Sequence, residues 1–81
     1  MTVRVKLFAA ARELAGAGEI AVDVAEGATV AEVERAVRAA VPALEKLVSH
    51  ARWAVDESFA ALSTKVGANS QIALIPPVSG G

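Results

Sequence analysis

The residues of this chain with the most restricted chemistry are its last six, Pro76-Pro77-Val78-Ser79-Gly80-Gly81. Adjacent prolines hold φ near about −65° and lack the N–H that a ladder needs, so they stop a strand and carry the remaining residues away from the body along an extended, polyproline-like path. Gly80 and Gly81 then remove every Cβ beside the terminal carboxylate, so a narrow channel in another protein can close around bare backbone. The reactive group offered is the carboxylate of Gly81. A carboxylate is a poor electrophile until one oxygen becomes a leaving group, as when ATP converts it to an acyl-adenylate that a sulfur nucleophile attacks. Such chemistry makes the chain end a substrate. A Gly-Gly end alone is commonly a frayed terminus; the Pro-Pro-Val-Ser approach, abutting an apolar strand, separates this one from that case.

The remaining composition narrows the classes of partner. Eighty-one residues, 54% hydrophobic and 21% charged, fit one small globular domain. Eight basic and nine acidic residues leave a net charge of −1, which gives no broad attraction to nucleic acid or to an anionic membrane. Without cysteine, the chain carries no disulfide, thiolate metal site, catalytic thiol or persulfide. A single histidine, His50, cannot build a multi-histidine metal site, and Phe8, Trp53 and Phe59 make no base-stacking platform. The start of the chain alternates charged and apolar residues rather than forming a signal peptide, and no run approaches the ~20 apolar residues of a membrane span. A cytoplasmic protein with no cofactor or metal of its own is expected.

Hydrophobic periodicity supplies the elements that must position this end. Val3, Val5 and Leu7 alternate with Thr2, Arg4 and Lys6, the period-two pattern of a half-buried strand. A short helical turn over 9–15 ends at Gly16 and Gly18, and Ile20, Val22 and Val24 mark a second strand, antiparallel to the first. Thr29-Val30-Ala31-Glu32 fits a capping box, so a helix starts at Val30 with Val30, Val33, Val37 and Val41 on one face, a Glu34–Arg38 pair on another, and Pro42 at its end. Residues 43–49 read as one further helical turn. Residues 53–55 and 58–60 form two short strands around Asp56-Glu57, whose turn type is open. Gln71 to Ile75 is a near-continuous apolar run, predicting a central strand covered on both faces and lying beside the first.

Strand, strand, helix, short strands and buried strand pack as an α+β fold, a mixed sheet with one main helix across one face. That is the β-grasp arrangement; order alone also permits a ferredoxin-like relative, for which the chain is one helix short. The division expected is a domain over 1–75 and an extended tail over 76–81.

Taken together, Ile75-Pro76-Pro77-Val78-Ser79-Gly80-Gly81 resembles the aromatic-Pro-Pro-Val-Ser/Thr-Gly-Gly ending of the small, sulfur-carrier subunit of molybdopterin synthase, a ubiquitin-like family. Leu7-Phe8-Ala9 with Arg12-Glu13-Leu14 is similar to its Phe-Phe-Ala and Arg-Glu-Leu opening, and Ala54-Val55-Asp56-Glu57 to its Ala-Val-Asn-Gln/Glu step. The resemblance spans essentially the whole chain. It implies that an E1-like adenylyltransferase uses ATP to adenylate Gly81, that a sulfurtransferase system converts the adenylate to a thiocarboxylate, and that the tail, Pro76 to Gly81, threads into the large synthase subunit. There the sulfur passes to precursor Z, the large subunit supplying the catalytic groups within a heterotetramer. Leu74 and Ile75 stand where the family has two Phe, Asp56 replaces its Asn, and Gly67-Ala68-Asn69-Ser70-Gln71 replaces its acidic turn.

Partner contacts are expected at Phe8, Ile75 and Arg12. Phe8, at the end of the first strand, is either a core side chain or, with Ile75, part of a docking patch, since aromatics often anchor interfaces; exposure separates the two. Arg12 and Glu13 otherwise form a solvated helix face, and the resemblance adds Arg12 as a contact. His50 reads as a surface residue and Trp53 as a packed one. Three rivals share parts of the pattern: a sulfur carrier of the thiamine pathway, a ubiquitin-like modifier joined through Gly81 to a lysine, and an interaction domain with an inert tail.

Overall fold

The computed structural model describes residues 1–77. Five strands, β1 (Thr2–Leu7), β2 (Glu19–Asp23), β3 (Arg52–Val55), β4 (Ser58–Ala60) and β5 (Ile72–Ile75), form one mixed sheet in the order β2-β1-β5-β3-β4. The helices are α1 (Ala9–Ala15), α2 (Val30–Ala40) and α3 (Glu45–Val48), the last entered through a 3-10 turn at Pro42–Leu44. β1 pairs antiparallel with β2 and parallel with β5, while β3 pairs antiparallel with both β5 and β4. This is the ubiquitin-like β-grasp topology that the element order predicts. No helix among the described residues is long and apolar enough to cross a membrane.

The core lies between α2 and one face of the sheet. Val30, Val33 and Val37 project from α2 onto Val3, Val5 and Leu7 of β1 and Ile72 and Leu74 of β5, all essentially without solvent exposure. Leu44 and Val48 close the core at the end of the second helical segment, and Trp53 fills it from β3. Burying one Leu or Val side chain contributes roughly 1.5–3 kcal/mol relative to leaving it exposed, so this layer dominates the domain's stability.

Two sequence expectations need correction. β5 is central but is not covered on both faces: Ile72 and Leu74 are buried, whereas Ala73 and Ile75 are half-buried on the opposite face. The apolar run therefore serves two purposes, core packing by alternate residues and an apolar outer surface by the others. The capping box at Thr29 also does not form, because neither it nor any neighbour supplies a side-chain cap. Instead the first free N–H groups of α2 are met by a distant loop: Val30 N–H donates to the Thr64 carbonyl (2.9 Å) and Ala31 N–H to that of Leu62 (3.0 Å). Thr29 itself bridges Lys65. The helix begins at Val30 as predicted, but a tertiary contact fixes its start. At the end of α1, Gly16 sits at φ +70° and its N–H donates to the Arg12 carbonyl, the left-handed termination that glycine permits.

Candidate functional site

The face of the sheet opposite α2 is built from the alternate residues of four strands. Strand register aligns Lys6, Ala73, Ala54 and Phe59 in one row, and Ile75 with Arg52 in the next. Phe59 is 67% exposed and Phe8 48% exposed, so Phe8 belongs to the surface and not to the core. Arg52 lies over the Phe59 ring, 5.3 Å from its centroid, a cation–π contact. Arg4 pairs with Glu19 at 3.2 Å, but both side chains are well exposed and the pair contributes little to stability. The result is an apolar surface fringed by Arg4, Lys6 and Arg52.

This face is also where the chain end departs. Leu7 pairs with Leu74, so Phe8 and Ile75 come next at the same end of the two parallel strands. Ile75 is held opposite Arg52 on its other side, and Pro76 and Pro77 succeed it directly. The strand that carries the tail is thus the one most deeply anchored in the sheet, flanked on both sides by paired neighbours. Val78, Ser79, Gly80 and Gly81 lie outside the described residues.

Register places Phe8 and Ile75 at the same end of β1 and β5, and Arg12 does not join them. It lines a separate depression with Ala9, Glu13, Gly16 and Gly18, and its side chain lies where a Cβ on Gly18 would meet it at 3.6 Å. His50 is exposed and Trp53 is 3% exposed, as expected of a surface and a packed residue. No group of three potential metal ligands occurs among the described residues.

Several residues of the face escape sequence reasoning. Ala54 and Ala73, small and adjacent in the row, leave a recess of about 230 Å³ walled by Lys6, Phe8, Glu57 and Gln71. One end is fixed by the β3–β4 turn, in which Asp56 (φ +50°) and Glu57 (φ +70°) are both left-handed, the type I′ geometry of a two-residue hairpin. Asp56 also clasps the residue before β5: its N–H donates to the Gln71 carbonyl (2.8 Å), and its Oδ1 accepts from the Gln71 N–H (2.9 Å). Alternation along β1 marks Lys6 as outward-facing, but small residues on separate strands give no sequence signal that they share a depression.

Comparison with known proteins places this geometry. The model of the ThiS family matches residues 5–81. Small archaeal modifier protein 1 of Haloferax volcanii is 39% identical, over 94% of this chain and 97% of its own. The molybdopterin synthase sulfur carrier subunit of Arabidopsis thaliana is 33% identical, over 98% of this chain and 82% of its own. The crystal structure of SAMP1 from Haloferax volcanii superposes with a TM-score of 0.91 at 37% identity, covering all of both chains.

Proposed function

The chain belongs to the ThiS family, and from that premise we propose that it is the sulfur-carrier subunit of a molybdopterin synthase. In this reading an E1-like adenylyltransferase joins the Gly81 carboxylate to the α-phosphate of ATP and releases pyrophosphate. A sulfur nucleophile delivered by a sulfurtransferase system then expels AMP and leaves a thiocarboxylate. The large synthase subunit docks on the open face of the sheet, receives Pro76 to Gly81 in a channel, and supplies the groups that pass the sulfur to precursor Z. Water restores the carboxylate for the next cycle. The chain itself acts as a donor, with no catalytic group of its own, in the cytoplasm.

The observation that carries this reading is the continuity of β5. A core-anchored central strand runs through Ile75 into Pro76-Pro77 at the margin of an exposed apolar surface fringed by cations. A partner seated on that surface is positioned to take hold of the residues after Pro77. Aromatic and arginine side chains such as Phe8, Phe59 and Arg52 are the types that anchor protein interfaces.

A second reading is favoured by the identity with small archaeal modifier protein 1: the activated Gly81 acyl group passes to a lysine amine, forming an amide and expelling the activating group. One experiment separates the two. The full-length chain and a Gly81 deletion are incubated with ATP, sulfide and the E1-like enzyme, and their intact masses are measured. An oxygen-to-sulfur exchange confined to the full-length chain, then sulfur delivery when the large subunit and precursor Z are added, supports the carrier. Lysines bearing the sixteen-residue 66–81 remnant of this chain in isopeptide linkage after tryptic digestion of cell extract support the modifier. Sulfur transfer retained by the truncated chain overturns the carrier reading, and lysine conjugates formed by the truncated chain overturn the modifier reading.

A further inference from the structure

The recess on the open face is more specific than a docking surface needs. At about 230 Å³ it is smaller than the roughly 300–1,000 Å³ typical of sites for whole ligands, and its size suits one side chain. Glu57 on its wall is left-handed (φ +70°), held so with Asp56 (φ +50°) by the type I′ turn between β3 and β4. The paired hydrogen bonds between Asp56 and Gln71 lock that wall in place.

The charges on the walls select the occupant. Lys6 and Glu57 line the same recess, with Phe8 beside them and the methyl groups of Ala54 and Ala73 within it. An acidic side chain entering it suits Lys6 but opposes Glu57, a basic one does the reverse, and an aliphatic one covers both charges without pairing either. An aromatic ring bearing a donor satisfies both at once. The ammonium lies against the ring face, the carboxylate accepts from the O–H or N–H, and Phe8 provides an offset ring contact.

We propose that this recess is a preformed pocket for a single tyrosine or tryptophan side chain of the docking protein, its ring resting on Ala54 and Ala73 and its donor received by Glu57. The inference rests on the open face being the docking surface of the carrier. It adds Lys6, Glu57 and the Asp56–Gln71 clasp as determinants of which partner is accepted. The clasp positions the rim without touching the occupant.

The test uses the full chain with methyl-labelled alanine, titrated in NMR with N-acetyl-tyrosinamide, N-acetyl-tryptophanamide, N-acetyl-phenylalaninamide and N-acetyl-leucinamide. The tyrosine and tryptophan amides should shift the Ala54 and Ala73 methyl signals saturably, binding about five- to tenfold more tightly than the phenylalanine amide, the worth of a hydrogen bond to a partly exposed carboxylate. Glu57→Gln should reduce tyrosine binding toward the phenylalanine level, and Lys6→Met should weaken all three aromatic amides. Equal shifts from all four amides, no shift from any, or a tyrosine preference that survives Glu57→Gln overturns the proposal. The mass exchange at Gly81 reads the carrier function separately: exchange without amide binding removes only the pocket, and amide binding without exchange removes only the carrier.

Discussion

Replacing Glu57 by glycine should stabilise this protein. Glu57 sits at φ +70° in the second position of the β3–β4 turn, where an L-residue with a Cβ incurs about 1–2 kcal/mol from contact with the next carbonyl. Asp56, at φ +50°, is better suited, because short polar side chains compensate locally in that region, and here its carboxylate also accepts from Gln71. Glycine removes the steric cost at position 57 but brings roughly 0.5–1 kcal/mol of extra unfolded-chain entropy. The net expectation is a gain of about 0.5–1 kcal/mol, which for a domain this small raises Tm by roughly 2–8 °C. Thermal melts monitored by far-ultraviolet circular dichroism, with Trp53 fluorescence as a second probe, measure it. Glu57→Ala retains the Cβ while deleting the carboxylate, so it should leave Tm almost unchanged. Asp56→Ala loses the bond from Gln71 N–H and keeps the left-handed backbone, and should cost about 1–2 kcal/mol. If Glu57→Gly melts at or below the parent temperature, or Glu57→Ala gains as much as the glycine, the turn is not strained in the way described.

Three further outcomes are expected. Thr29→Ala should cost under about 0.5 kcal/mol in a chemical denaturation curve, against the typical ~1 kcal/mol for a working N-cap, because the Thr64 and Leu62 carbonyls already meet the first helical N–H groups. Phe8→Ala should change stability by under about 1 kcal/mol, given its exposure, yet weaken binding of the large subunit by tenfold or more in calorimetry, the size of an anchoring contact. Gly80→Val should leave Tm unaltered and slow single-turnover sulfur delivery, since a branched side chain obstructs a channel shaped for bare backbone; wild-type turnover would refute that argument.

Much of the architecture is legible in the sequence because it obeys simple periods. Val3, Val5 and Leu7 announce β1 by alternation, and Val30, Val33 and Val37 announce α2 by helical spacing; all six are buried where the pattern requires. The short strands around Asp56-Glu57 and the placing of β5 beside β1 also match expectation. Pattern and structure part where one residue type serves two environments. Ile75 is as apolar as Ile72, yet one lies on the outer face and the other in the core, so the run reads as covered on both sides. The true cap of α2 is invisible to local pattern because the carbonyls that meet its N–H groups lie over thirty positions away in sequence, beyond any short motif. Of the candidate face, the surface exposure of Phe8 is left open by residue type and is settled by its position after β1, whereas the recess depends on Ala54 and Ala73 meeting across two strands.

The order of strands carries a consequence for how the molecule comes into being. With β5 removed, β1–β2 and β3–β4 are two separate antiparallel ribbons, and only β5, the last of the described strands in chain order, joins them. Such distant pairing is slow to form, because a long loop must close before its contacts compensate the lost entropy. The sheet is therefore whole only when β5 has paired with both β1 and β3. A chain broken before Ile72 forfeits its keystone. The strand that leads into Pro76-Pro77 is thus the one that unites the two ribbons, so the sheet is complete only once the residues just before the carboxy-terminal segment are paired.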